Sequence, residues 1–239
     1  IIKIESENAV AIHQKNSSKF IYLHQNDTLN LKVTVKYRGG YSLRYPKKSY
    51  AVELNEKVSL AGLPKEDDWV LNASYVDKTF IRHKLGYDLF TSMNPNNRAP
   101  KSTYVEVYEN DQYKGLFLFM QKLTAKTLGI KKKDSNAYVF KEPTVLYVKE
   151  IYLEDTVNIY QQKFPKYKMK DETEVMMEFR EFLLKANDQE FEQNISKWMD
   201  FDNILDWYIL ILFANAGDNI NKNLYLYKID NKTPFRVAL

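Results

Sequence analysis

The chain has 239 residues, 44% hydrophobic and 28% charged, with a formal net charge of +4 and no cysteine. Its length suits one large domain or a two-lobed one with a sizeable core. Without cysteine, disulfide frameworks and thiolate metal sites are excluded. The scattered His13, His24 and His83 offer no paired zinc spacing. The charge permits an anionic ligand but lacks the concentrated basic stripe of a nucleic-acid-binding domain. No apolar run approaches the ~20 residues of a membrane span. The first residue is Ile1 rather than Met, as in a trimmed or processed chain.

Residues 1 to about 55 read mostly as strands. Phe20-Ile21-Tyr22-Leu23 is a short apolar run, and Leu29 to Val35 alternates with period two. Tyr37-Arg38-Gly39-Gly40-Tyr41-Ser42-Leu43-Arg44-Tyr45-Pro46-Lys47-Lys48 then leads into a strand at Ala51–Leu54. Two of the seven glycines and four cations lie here. Glycine lets backbone amides approach a phosphate, and Arg or Lys neutralises it. A strand–turn–strand with solvated cations fits the same residues.

Gly62-Leu63-Pro64 and Asp67-Asp68 precede a strand at Trp69–Asn72. Asp77 is placed to cap a helix over about 78–92, with Phe80, Ile81, Leu85, Leu89 and Phe90 as its buried residues. Tyr104–Tyr108 and Leu116–Met120 read as strands joined through Asn110-Asp111. The triplet Lys131-Lys132-Lys133 reads as a solvated loop, and Ala137–Lys141 as a further strand ending in a cation. From Thr156 the character turns helical. Val175, Met176, Phe179, Phe182 and Leu183 recur at helical spacing over 172–185, and Phe191, Ile195 and Trp198 over 188–198. The order predicts an α+β, two-lobed layout in one domain: a sheet-rich part over about 1–150 and a helical part over about 151–239.

Phe201 to Leu239 reads as helix, loop and hairpin. Asp202 is placed to cap a helix whose residues 204–214 are apolar or aromatic except Asp206, so burial on nearly all faces is expected. Gly217 stands where its C-terminal left-handed residue belongs. Asp218-Asn219-Ile220-Asn221-Lys222-Asn223 follows, then strands at Leu224–Tyr227 and Phe235–Leu239 around Asp230-Asn231. Protein kinases place a catalytic Asp and a magnesium-holding Asn at the interval of Asp218 and Asn223. Asx residues also fill ordinary polar turns.

In order, Arg38-Gly39, Ser42, Pro46-Lys47-Lys48-Ser49-Tyr50, Gly62-Leu63-Pro64, Asp68-Trp69-Val70-Leu71, Asp77 with Ile81-Arg82, Gly115-Leu116, Phe140-Lys141 and Asp218…Asn223 resemble blocks of the CotH family. These are atypical protein kinases first known from bacterial spore coats. The resemblance runs from about Tyr37 to Leu239. It implies an atypical protein-kinase-like fold binding ATP and Mg²⁺ and transferring phosphate to Ser or Thr of a coat or surface protein.

By position, Asp218 would be the catalytic carboxylate and Asn223 a metal ligand. Arg38, Arg44, Lys47, Lys48 and Lys141 would hold phosphates, and Phe140 and Phe235 would face the adenine. Gly40 stands where many relatives have Asn, and Gln121 where they often have Glu. The resemblance also implies a further metal-binding Asp just past Leu239, so the C-terminal part of the domain is expected to lie outside this sequence. An extracytoplasmic or spore-surface setting is implied. The rival expectation is a non-catalytic surface or adhesion module keeping the same fold. A third is phosphorylation of a small molecule or glycan.

Overall fold

A computed structural model describes residues 1–12, 14–131, 136–143, 146, 162–165, 174–220 and 223–239. The expected change of character at Thr156, the start of the 172–185 helix, and Lys132 and Lys133 lie outside these residues. The chain is α+β, with a sheet-rich first part and its later helices following it. It divides into two compact units, residues 1–85 with 100–122, and residues 86–99 with 123–239. Among the described residues no helix is long and apolar enough to cross a membrane.

The first unit is a closed barrel of seven strands. They are β1 (Ile2–Glu5), β2 (Asn16–His24), β3 (Asp27–Arg38), β4 (Ser49–Val58), β5 (Glu66–Asn72), β6 (Ser102–Glu109) and β7 (Gln112–Gln121). Period-two alternation in β3 turns Leu31, Val33 and Val35 into the core, as read from the sequence. Tyr50, Val52 and Leu54 of β4 join them, with Trp69 stacked on Phe119 at 4.5 Å. Asn110 and Asp111 both adopt positive φ, 48° and 59°, the two-residue turn whose twist suits a hairpin. β1 pairs antiparallel with β2 and parallel with β6, and this parallel seam closes the barrel. Nothing in the local pattern of β1 announces that seam.

Helix α1 (Arg82–Met93) begins four residues later than its sequence suggests. Phe80 takes a left-handed φ of 60°, which interrupts a helix started at Lys78. Asp77 still serves the start: its carboxylate accepts from the backbone N–H groups of Thr79 (3.1 Å) and Arg82 (2.9 Å). Of the expected buried residues Phe90 has no exposed surface, whereas Ile81 and Leu85 are exposed.

The second unit holds a four-stranded sheet in the order β11-β10-β8-β9, with β8 (Tyr138–Lys141), β9 (Gln162–Phe164), β10 (Tyr225–Lys228) and β11 (Arg236–Ala238). Strand β8 thus belongs to the helical part rather than to the barrel, because it pairs with β10. Helices α2 (Glu174–Lys185), α3 (Asp188–Trp198) and α4 (Phe201–Phe213) belong to the same unit. Asn187 and Glu190 form a reciprocal capping box at the start of α3.

Asp200, not Asp202, caps α4, accepting from Asn203 N–H at 3.2 Å. Backbone bonds between Trp198 and Phe235 and between Asp200 and Phe235 hold Asp200 extended, the conformation an N-cap needs. Its carboxylate also takes the Arg236 Nε–H at 2.7 Å. Helix α4 buries one face, Asn203, Trp207, Leu210 and Ile211. The expectation of burial all round fails: Ile209, Leu212 and Phe213 are 53%, 60% and 75% exposed. The described sheet covers one side of the helix only.

Candidate functional site

In the first unit the glycine-rich segment forms a 3-10 turn, Tyr41–Arg44, between β3 and β4. Gly39 has φ +134°, and a Cβ there would meet Ser42 Oγ at 2.1 Å. Glycine is therefore required at 39 by the turn's own packing. Lys48 Nζ donates to the carbonyls of Leu43 and Tyr45 and staples the turn. Lys47 Nζ donates to the Leu116 carbonyl and lies over the rings of Phe117 and Phe80, at 4.1 and 4.9 Å from their centroids. Burial holds its pKa below the ordinary lysine value. Arg44 lies 4.9 Å over the exposed Tyr41 ring, and Arg38 is exposed. Two of the four cations thus have structural duties, and Arg38 and Arg44 present their charge outward.

In the second unit α4 delivers the Asp218 loop. The helix ends in a Schellman motif: Asn215, at φ 48°, supplies the left-handed residue expected at Gly217. Its N–H bonds Leu212 C=O at 3.1 Å, and Ala216 N–H bonds Ile211 C=O at 3.0 Å. Asparagine tolerates this conformation better than most residues. Gly217 instead opens a second 3-10 turn, Gly217–Ile220, with Asp218 exposed in it. Asn221 and Lys222 lie outside the described residues.

The loop returns to the sheet at Asn223, itself left-handed at φ 59°. Asn223 N–H donates to Glu142 Oε1 at 2.9 Å, and Glu142 N–H donates to Leu224 C=O at 3.0 Å. Glu142 Oε1 also pairs with Lys141 Nζ at 3.1 Å. Pairing of β8 with β10, in which Lys141 faces Tyr225, brings these groups together. Asn223 and Lys141 were picked out from the sequence; Glu142 was not. Its signal was an acid directly after the strand-end lysine and before Pro143.

Phe140 and Phe235 have no exposed surface, and their ring centroids lie 6.2 Å apart. Phe235 packs on Phe179 at 5.7 Å. In place of the adenine-facing role expected for them, both fill the core. Gln121 is buried, and its side-chain carbonyl accepts from Lys101 N–H at 3.1 Å, so it serves a backbone group rather than a cation. Among the described residues no group of three or more His, Cys, Asp or Glu side chains is placed to hold a metal ion. Beside the loop, a cavity of about 310 Å³ is lined by apolar residues including Pro143, Phe179, Trp207, Ile220 and Leu224. Among the described residues no charged group lines it.

Two comparisons bear on this arrangement. A family model described as CotH kinase protein matches residues 35–239. The chain is also 23% identical, over 212 residues, to a protein of Bacillus subtilis (strain 168) named inner spore coat protein H. That match takes in 87% of this chain and 57% of the relative, so the chain spans little more than half of the relative's length. With its ordered glycine, strand and Asp218–Asn223 blocks inside the matched range, the chain belongs to the CotH kinase family.

Proposed function

We propose that the protein is an ATP- and Mg²⁺-dependent phosphotransferase of kinase-like, two-lobed design, acting on Ser or Thr of a coat or surface protein. The observation that carries this reading is the second unit's loop, where a 3-10 turn after α4 presents Asp218 and Glu142 Oε1 takes both Lys141 Nζ and the Asn223 backbone N–H. Family membership over residues 35–239 supports it. The relative's name, an inner spore coat protein, supports a spore-associated setting.

The donors at the loop are hard oxygens, the Asn223 amide and the Asp218 carboxylate, which match the preference of Mg²⁺ for oxygen ligands. An ion carried in with the nucleotide would need only these two groups from the chain. When bound there, Mg²⁺ neutralises charge on the phosphates. Asn223 would hold it. Asp218, exposed on its turn, orients the acceptor hydroxyl and takes its proton. Lys141 contributes a fixed positive charge to the phosphoryl oxygens. In the first unit, taken by itself, Arg38 and Arg44 are the glycine-segment cations whose charge faces outward. Lys47 and Lys48 act by holding that segment.

A non-catalytic module is the second reading, and the internal engagement of Lys47 and Lys48 favours it. The deciding experiment uses protein expressed from its full gene, with labelled ATP, Mg²⁺ and a coat-protein acceptor. Transfer should be seen, and Asp218→Asn should reduce its rate by roughly 10²- to 10⁴-fold. An unchanged rate in that variant removes Asp218 as the base. No transfer and no rise in melting temperature with Mg²⁺-ATP would favour the module.

A further inference from the structure

Glu142 stands at a point of backbone strain that nothing about a strand end requires. Its φ of 52° lies in the left-handed region, and so does the 59° of Asn223 across the sheet. That region is unfavourable for a residue with a Cβ, and Asn tolerates it where Glu has no such advantage. Two hydrogen bonds offset the strain: Glu142 N–H to Leu224 C=O, and Asn223 N–H to Glu142 Oε1. They cross between the strands just where the β8–β10 ladder ends.

The same Oε1 atom takes both the Asn223 amide and the Lys141 ammonium. One carboxylate therefore sets the end of the loop and a cation at once. The Glu142 side chain is 25% exposed and that of Lys141 35%. By contrast, the Lys185–Glu181 pair lies on one helix face at 73% and 59% exposure, where an ion pair contributes little. The Lys141–Glu142 pair is better shielded and tied to the backbone.

We infer that Glu142 is a positioning residue, which through its carboxylate fixes Lys141 and the Asn223 end of the loop in one mutual geometry for a metal-bound polyphosphate. This rests on the phosphotransferase reading. A carboxylate repels phosphate, so Glu142 is not itself a nucleotide contact; it acts through its two partners.

Two variants separate the parts. Glu142→Gln keeps an oxygen for the Asn223 N–H but loses the charge that holds Lys141. Glu142→Ala loses both. In the full-length protein, Glu142→Gln should raise KM for Mg²⁺-ATP with kcat little changed, because the lysine is no longer aligned. Glu142→Ala should in addition lower kcat by roughly 10- to 100-fold, the scale of a small misplacement of catalytic groups. Amide exchange at Asn223 should quicken in the Ala variant alone. Should Ala fail to fold, the Gln variant decides by its KM. Wild-type KM and kcat in Glu142→Gln, with transfer intact, would overturn the inference and leave the kinase reading standing. An inactive wild-type protein that does not bind Mg²⁺-ATP would overturn both.

Discussion

The barrel and the sheet–helix unit solve the same problem differently. In the barrel, inward residues of successive strands meet in one cluster with Ile2, Ile4, Phe20, Val107 and Phe119 sealed from water, and ring closure leaves no bare strand edge. The second unit brings β8 from a distant part of the chain to the β10–β11 hairpin, and its longest apolar helix is covered on one face only. Beside its own apolar cluster, which includes Phe90, Phe140, Phe179 and Phe235, its interior carries a polar network. Asn203 Nδ2 donates to Asn97 Oδ1 (2.8 Å) and Val237 C=O (3.1 Å), and Asn203 Oδ1 takes Val237 N–H (2.7 Å). Asn97 Nδ2 in turn donates to Asp206 Oδ2 at 2.8 Å. Both units bury apolar clusters and some polar groups, so the difference is one of closure: the barrel closes on itself as a ring of strands, while the second unit's sheet stays open. In the unit bearing the candidate site the Asn203 bonds add directional ties that fix the hairpin leading from its loop.

That contrast can be broken by mutation. The largest effect is expected in the barrel, where Trp69→Ala removes a fully buried ring stacked on Phe119. It should lower stability by about 3–5 kcal/mol in denaturant unfolding. Hydrogen exchange should quicken first in β5 and β7. Quickening first in β10 and β11 instead would show that the two units do not unfold separately.

A smaller loss is expected from Asn203→Ala. It strands the Val237 N–H in a buried setting, at about 1–3 kcal/mol. Exchange should quicken at β11 and leave the barrel untouched. Asn203→Leu, which restores bulk without bonds, should not rescue it. If it does, the unit is held by packing and the contrast fails.

The smallest effect at neutral pH concerns one of the barrel's buried polar pairs. Tyr50 is buried and donates to Glu109 Oε2 at 3.2 Å. Burial, then the Glu109 charge and Tyr37, push the Tyr50 hydroxyl well above its ordinary value of 10.0. The folded form therefore keeps a proton that the unfolded chain gives up above about pH 10, so stability falls as pH rises past that value. The slope from this group is about 1.4 kcal/mol per pH unit. Tyr50→Phe should flatten the decline of melting temperature between pH 10 and 11, at a cost near neutrality of about 1 kcal/mol for the lost bond. An unchanged slope would place the alkaline sensitivity elsewhere.

Much of the local structure was legible in the residues. Alternation in Leu29–Val35, the Asn110-Asp111 turn and the 188–198 helix follow from energies reaching only a few residues along the chain. The succession of helix, Asp218–Asn223 loop and hairpin was readable for the same reason. Choices between neighbouring candidates were not. Asp200 displaced Asp202 as the cap because Phe235, distant in sequence, holds it extended. Asn215 displaced Gly217 because helix α4 ends earlier than its apolar run.

What the sequence determined by itself was therefore the inventory: strands first, helices later, a glycine turn dense in cations, and an acidic loop after an apolar helix. Only the tertiary structure decided that β1 seals a barrel against β6 and that β8 joins β10. It also turned Lys48 inward, buried Phe140 and Phe235, and set Glu142 against Lys141 and Asn223. The physical reason is range. Propensity and periodicity act between neighbours along the chain, whereas strand pairing and the sharing of a carboxylate depend on groups some eighty residues apart meeting in space.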